Sequence, residues 1–117
     1  MSPKIFESIL VAHAEVSEAA GIGVADSIKG EALVCFCVLK PGNAASESLR
    51  EELRARVAGA LGKPLRPEVL KFVDDLPKTR NAKIMRRVVR SAYLNQTAGD
   101  LSALENPQSV EAIRNAI

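Results

Sequence analysis

Tryptophan is absent and the aromatic residues are three phenylalanines and one tyrosine, so the 47% hydrophobic content of these 117 residues must build an aliphatic core. Cysteine and histidine are nearly as scarce, at two and one. Cys35 and Cys37 stand two positions apart, which on a strand puts both side chains on one face, poorly placed to bridge each other. With His13 as the sole imidazole, a zinc site lacks ligands. The two thiols read as small buried apolar residues, a usage that fits a reducing compartment. No run approaches the ~18 apolar residues of a membrane helix. The start, Met1-Ser2-Pro3-Lys4, lacks the apolar core of a signal peptide. A single compact cytoplasmic domain is expected.

Acid is missing from one stretch. Between Leu76 and Gly99 lie Lys78, Arg80, Lys83, Arg86, Arg87 and Arg90 with no Asp or Glu. The rest of the chain carries ten basic residues against all fourteen acidic ones, a balance of −4 within a net charge of +2. Such unevenness suggests a focused anion site more than a general polyanion surface. On charge alone, a basic run ahead of a helix is more often a solvated face.

Periodicity orders the chain. Ser2-Pro3 can start a helix over roughly 3–13, with Ile5, Ile9, Leu10 and His13 at helical spacing. His13 near its end reads as a surface or terminus residue without a catalytic partner. Residues 18–24 read as a short strand weakened by glycine, 25–31 as a polar turn, and Ala32–Lys40 as a buried strand stopped by Pro41-Gly42-Asn43. The pair Gly21 and Gly23 lacks the third glycine and the following helix of a dinucleotide loop. Leu49, Leu53, Val57 and Leu61 mark an amphipathic helix ending near Gly62, with Ser48 and Glu51 as a capping box. Its alternating charges read as a solvated face. Val69, Leu70, Phe72 and Val73 suggest a strand ended by Asp74-Asp75. A basic loop over 76–82 leads to a helix over 84–94 with Ile84, Val88, Ala92 and Tyr93 inward, and the tail over 95–117 ends in a short helix. The expectation is an α+β domain: a small mixed sheet of about three strands packed with three or more helices.

The segment Leu76-Pro77-Lys78-Thr79-Arg80-Asn81-Ala82-Lys83-Ile84-Met85-Arg86-Arg87 resembles the C-terminal signature of the adenylate-forming superfamily. Its ending is similar to that of acetyl-CoA synthetase-like, AMP-forming acyl-CoA synthetases. The order of elements and the stretch from Gly99 to Pro107 resemble the lid domain and tail of the same enzymes. The resemblance implies a lid over residues 1–94 and a tail over 95–117. It implies that Lys83 is the lysine that supports attack of a carboxylate on the α-phosphate of ATP. Pro77, Lys78, Thr79 and Arg80 form the motif loop, while Arg86 and Arg87 are weaker candidates for nucleotide or CoA phosphates. The lid would then reorient for thioester formation.

The resemblance further implies ATP, CoA and Mg2+ as requirements of a full-length enzyme, with none bound to the isolated domain, which is expected to be inactive alone. Its partners would be a large N-terminal adenylation domain, a small carboxylate, and enzymes that acylate and deacylate Lys83. No membrane or nucleic acid is expected. Three departures stand out. Ala82 replaces the glycine usual before the lysine. The family's hinge and a glycine-rich CoA-tunnel segment are expected to precede this chain. Ala58 stands where some acetyl-CoA synthetases place a CoA-phosphate arginine, with Arg56 or Lys63 as possible substitutes. Two other readings stay open, a catalytically silent lid and a basic nucleic-acid-binding module, although no aromatic interleaves the cations before Tyr93.

Overall fold

A computed structural model describes residues 3–26, 28, 30–97 and 99–117. Along the chain run α1 (Pro3–Val11), β1 (Val16–Asp26), β2 (Gly30–Leu39), α2 (Glu47–Leu61), a 3-10 turn (Lys63–Leu65), β3 (Val69–Phe72), α3 (Arg86–Tyr93) and α4 (Ser109–Arg114). The strands form one mixed sheet in the order β1-β2-β3. β1 and β2 are an antiparallel hairpin, and β3 adds to β2 in parallel after the α2 crossover that parallel pairing requires. The expected α+β fold is therefore the observed one.

The sheet lies between two helical layers because its strands are apolar on both faces. Cys35, Cys37, Leu70 and Phe72 pack with Phe6 and Leu10 of α1 and with Leu49, Leu53 and Val57 of α2. Val34 and Phe36, on the opposite face, pack with Val88, Val89 and Ala92 of α3, with Leu104, and with Val110 and Ile113 of α4. Both thiols are free and buried on one face, as their spacing implied. Burial raises both, Cys37 to about 12. The tail is thus part of the core. No described helix is long and apolar enough to cross a membrane.

Several boundaries differ from the sequence expectation, each for a physical reason. β1 extends to eleven residues, because pairing with β2 outweighs the low strand preference of its glycines. At Gly23 a Cβ would lie 2.5 Å from the carboxyl end of the exposed Glu31 side chain, which would have to swing aside. The turn at 25–31 shrinks accordingly, and Ser27 and Lys29 lie outside the described residues, as does Ser2. On α1, Phe6 faces inward and Ile5 is 42% exposed. α2 is capped by Ser46, not Ser48: the Ser46 hydroxyl accepts from Leu49 N–H at 3.1 Å. α3 is shorter than expected, and Val89 joins its inward face.

The α2 charges are not merely a solvated face. Arg50 donates to the Leu70 carbonyl at 2.6 Å and lies over the Phe72 ring at 5.3 Å. Arg54 donates to the Pro67 carbonyl at 3.0 Å. These guanidinium groups lace α2 to β3 and to the segment leading into it, while Leu53 is fully buried. Leu53→Ala should lower unfolding stability by about 2–5 kcal/mol. A urea midpoint that does not move would contradict this packing.

Candidate functional site

β3 runs into the acid-free stretch, and the chain there doubles back. Lys78 and Ile84 form an antiparallel bridge. Within it, Thr79 N–H donates to the Lys83 carbonyl at 2.9 Å, and Ala82 N–H returns to the Thr79 carbonyl at 2.9 Å. The Thr79 hydroxyl accepts from Lys83 N–H at 3.3 Å. Outside the bridge, Met85 N–H donates to the Pro77 carbonyl at 2.8 Å. The motif is therefore a small hairpin with Arg80 and Asn81 at its tip and Lys83 on its return arm. Ala82 lies at φ +63°, in the left-handed region. A residue in that conformation just after a tight turn is a recurrent hairpin device, and glycine is its ordinary occupant. Ala82 adopts the conformation without glycine's freedom.

The six cations of the stretch divide by partner. Lys78 Nζ lies 2.5 Å from Glu18 and 3.6 Å from Asp75, with its side chain 20% exposed. Burial opposes its charge, but the two carboxylates outweigh that and raise its pKa. Arg86 forks onto Glu7, its Nε 2.7 Å from Oε2 and its second nitrogen on Oε1. Glu7 is itself buried and accepts from Gly21 N–H at 2.9 Å, so it ties α1, β1 and α3 together. The Glu7 hydrogen bond raises the Arg86 pKa against the cost of desolvation. Arg90 donates to the Gly23 carbonyl at 3.0 Å, and Arg87 reaches the Asp100 carbonyl at 3.4 Å. Arg80 is exposed, 3.8 Å from Glu105. Lys83 is exposed, and among the described residues its side chain has no ion pair or hydrogen bond. The loop thus holds Lys78 in place and presents the Lys83 ammonium to solvent, with Arg80 beside it only loosely paired.

Other candidates are placed as follows. Pro77 is buried and serves through its carbonyl. His13, just beyond α1, accepts from Glu15 N–H at 3.1 Å and pairs with Glu52, which makes it a tether between α1 and α2. Arg56 donates to the Ile9 carbonyl at 3.2 Å, whereas Lys63 is exposed at the 3-10 turn. Among the described residues no group of three or more His, Cys, Asp or Glu side chains could hold a metal ion.

Asn106 was the residue that the sequence did not single out. Its side chain bonds to Asp75, Leu76 and Lys78, about thirty residues upstream. The Asn106-Pro107 dipeptide marks a turn, but nothing in the sequence names its partners.

Ala82→Gly should stabilise the protein by about 0.5–1 kcal/mol. The left-handed conformation costs an L-residue roughly 1–2 kcal/mol, and the greater freedom of unfolded glycine offsets part of the gain. A lowered denaturation midpoint would contradict the observed φ.

Residues 6–83 match the AMP-binding enzyme C-terminal domain family. The acetyl-coenzyme A synthetase of Methanothrix thermoacetophila is 49% identical over 107 residues, 92% of this chain but 16% of that protein. The 3-hydroxypropionyl-coenzyme A synthetase of Sulfurisphaera tokodaii is 45% identical over 111 residues, 95% of this chain and 17% of that protein. A crystal structure of Brucella canis acyl-CoA synthetase superposes with a TM-score of 0.76 at 37% identity, over 81% of this chain and 18% of that one. The chain therefore spans about a sixth of the length of these relatives. By its hairpin, its sheet and these matches, it belongs to the family of C-terminal domains of AMP-forming acyl-CoA synthetases.

Proposed function

We propose that this chain is the lid of an AMP-forming acyl-CoA synthetase acting on acetate or another short carboxylate, and that Lys83 supplies the ammonium for adenylation. The observation that carries the reading is the uncommitted Lys83 on a hairpin whose neighbouring cations are engaged. In adenylation a carboxylate oxygen attacks the α-phosphorus of ATP, and the bond to the pyrophosphate leaving group breaks. Two anions must meet, and negative charge grows on the phosphate oxygens. A lysine ammonium on a long stem offsets that repulsion and stabilises the developing charge. In the second half-reaction the CoA thiol displaces AMP from the acyl-AMP. The lid reorients between the two and takes Lys83 away from the reacting atoms.

The other assignments follow from committed groups. Arg86 is held by Glu7 and Arg87 reaches the Asp100 carbonyl, so both stay weaker candidates for nucleotide or CoA phosphate. Lys78 is a structural cation. ATP, CoA and Mg2+ are required by the whole enzyme, and this chain contributes a cation to that chemistry. That adenylation domain is the principal partner, and the setting is cytoplasmic. Acylation of Lys83 would remove its charge and provide regulation. A nucleic-acid role has little support, because Tyr93 is packed edge-on against Phe36, with ring centroids 5.7 Å apart.

In the full-length synthetase, Lys83→Ala should reduce acyl-AMP formation by roughly 10²–10³, the effect of losing one preorganised charge donor. Conversion of supplied acyl-AMP and CoA to thioester should change by less than about threefold on the same argument. Lys40→Ala, at an exposed position after β2, controls for net charge. Lys78→Ala does not serve that purpose, because it strands Glu18 and Asp75. Equal slowing of both half-reactions by Lys83→Ala would make the lysine a structural element of the lid.

A further inference from the structure

We infer that Asn106 is a positioning residue for Lys83, one that fixes from the tail the backbone on which the lysine is carried. The inference rests on the adenylation role of Lys83 proposed above.

The Asn106 carboxamide spends its hydrogen-bonding capacity on one short segment. Its Oδ1 accepts from Lys78 N–H at 2.9 Å. Its Nδ2 donates to Asp75 Oδ2 at 2.6 Å and to the Leu76 carbonyl at 2.7 Å. These partners fix the orientation of the amide: flipped, its oxygen would face a carboxylate and a carbonyl, and its NH2 would face an N–H. No other side chain of this size offers two donors and an acceptor in one plane.

Asn106 is itself anchored. Its carbonyl accepts from Ser109 Oγ at 2.6 Å and from Ser109 N–H at 3.0 Å. Ser109 is fully buried and begins α4, which enters the core through Val110 and Ile113. Two further contacts lie beside it: Glu105 N–H donates to the Lys78 carbonyl at 2.9 Å, and Thr79 bridges Leu104.

A continuous path therefore leads from the core through α4 and Asn106 to residues 75–78. From there the Lys78–Ile84 bridge and the bond from Met85 N–H to the Pro77 carbonyl lead to Lys83. Among the described residues no hydrogen bond or ion pair links Lys83 to the tail. Asn106 thus acts on the position of the lysine, and on charge not at all. Displacements of about 1 Å in a catalytic group cost up to roughly 10²-fold in rate, so loss of one brace among several should cost about tenfold.

The test combines amide exchange in this chain with the separated half-reactions in the full-length synthetase. Asn106→Ala should speed exchange at the Lys78 amide at least about tenfold while amides of the β1–β2 hairpin are unchanged. It should lower kcat for acyl-AMP formation about tenfold, change KM for ATP little, and leave thioester formation within about twofold. The double variant Lys83→Ala/Asn106→Ala should be no slower than Lys83→Ala, because the asparagine acts only through the lysine. Asn106→Gln keeps two donors and an acceptor on a stem one carbon longer. It should recover part of the loss, and it provides a folded comparison should Asn106→Ala prove unstable. Equal slowing of both half-reactions, or full additivity with Lys83→Ala, would overturn the inference while the role of Lys83 stands. Normal adenylation by Lys83→Ala would overturn both.

Discussion

The structure beyond β3 depends on the way Lys78 is held. Its ammonium sits between Glu18 of β1 and Asp75, its N–H is taken by Asn106, and its carbonyl by Glu105 N–H. A residue bound at three points is a fixed pivot from which a short hairpin can project. That matters because a lysine stem has four rotatable carbons and cannot aim its own charge. Aim must come from a rigid backbone beneath it. The hairpin supplies this with four backbone or hydroxyl bonds between Pro77 and Met85, and Ala82 in the left-handed region sets the direction of the return arm.

The same economy governs the charges. A stretch with six cations and no acid would repel itself if all six faced one another across solvent. Instead carboxylates arrive from elsewhere in the chain: Glu7 from α1, Glu18 from β1 and Glu105 from the tail. Backbone carbonyls take up Arg87 and Arg90. The acid excess outside the stretch is therefore partly spent on neutralising it. Among the described residues of the stretch, Lys83 is a cation whose side chain has no hydrogen bond or ion pair, and an anionic group can approach it there.

Sequence periodicity gave a good account of α2, β2 and β3, because each has an apolar pattern strong enough to stand without context. It underestimated β1, whose Gly21 and Gly23 argue against a strand until its ten-position pairing with β2 is known. It read Arg50 and Arg54 as solvated, since a helix pattern shows which face is polar but not that a carbonyl edge lies across from it. The motif around Lys83 was legible through family resemblance, and the strained Ala82 through the glycine it replaces. Lys78 and Arg86 looked like the other cations of the run; only the fold shows Glu18 and Glu7 beside them. Asn106 was invisible for the same reason, its partners being fixed by tertiary contact alone.

The central claim is that position 83 acts through a positive charge delivered at one point. The most direct measurement replaces Lys83 with Cys in the full-length synthetase and alkylates it in two ways, with bromoethylamine to restore an ammonium and with iodoacetamide to give a neutral amide. Cys35 and Cys37 are fully buried, and burial raises both thiols, so in the lid the new thiol is the one that reacts. The account predicts that acyl-AMP formation returns only with the aminoethyl group, while thioester formation from supplied acyl-AMP is the same in both adducts. Equal recovery with the neutral adduct would contradict it.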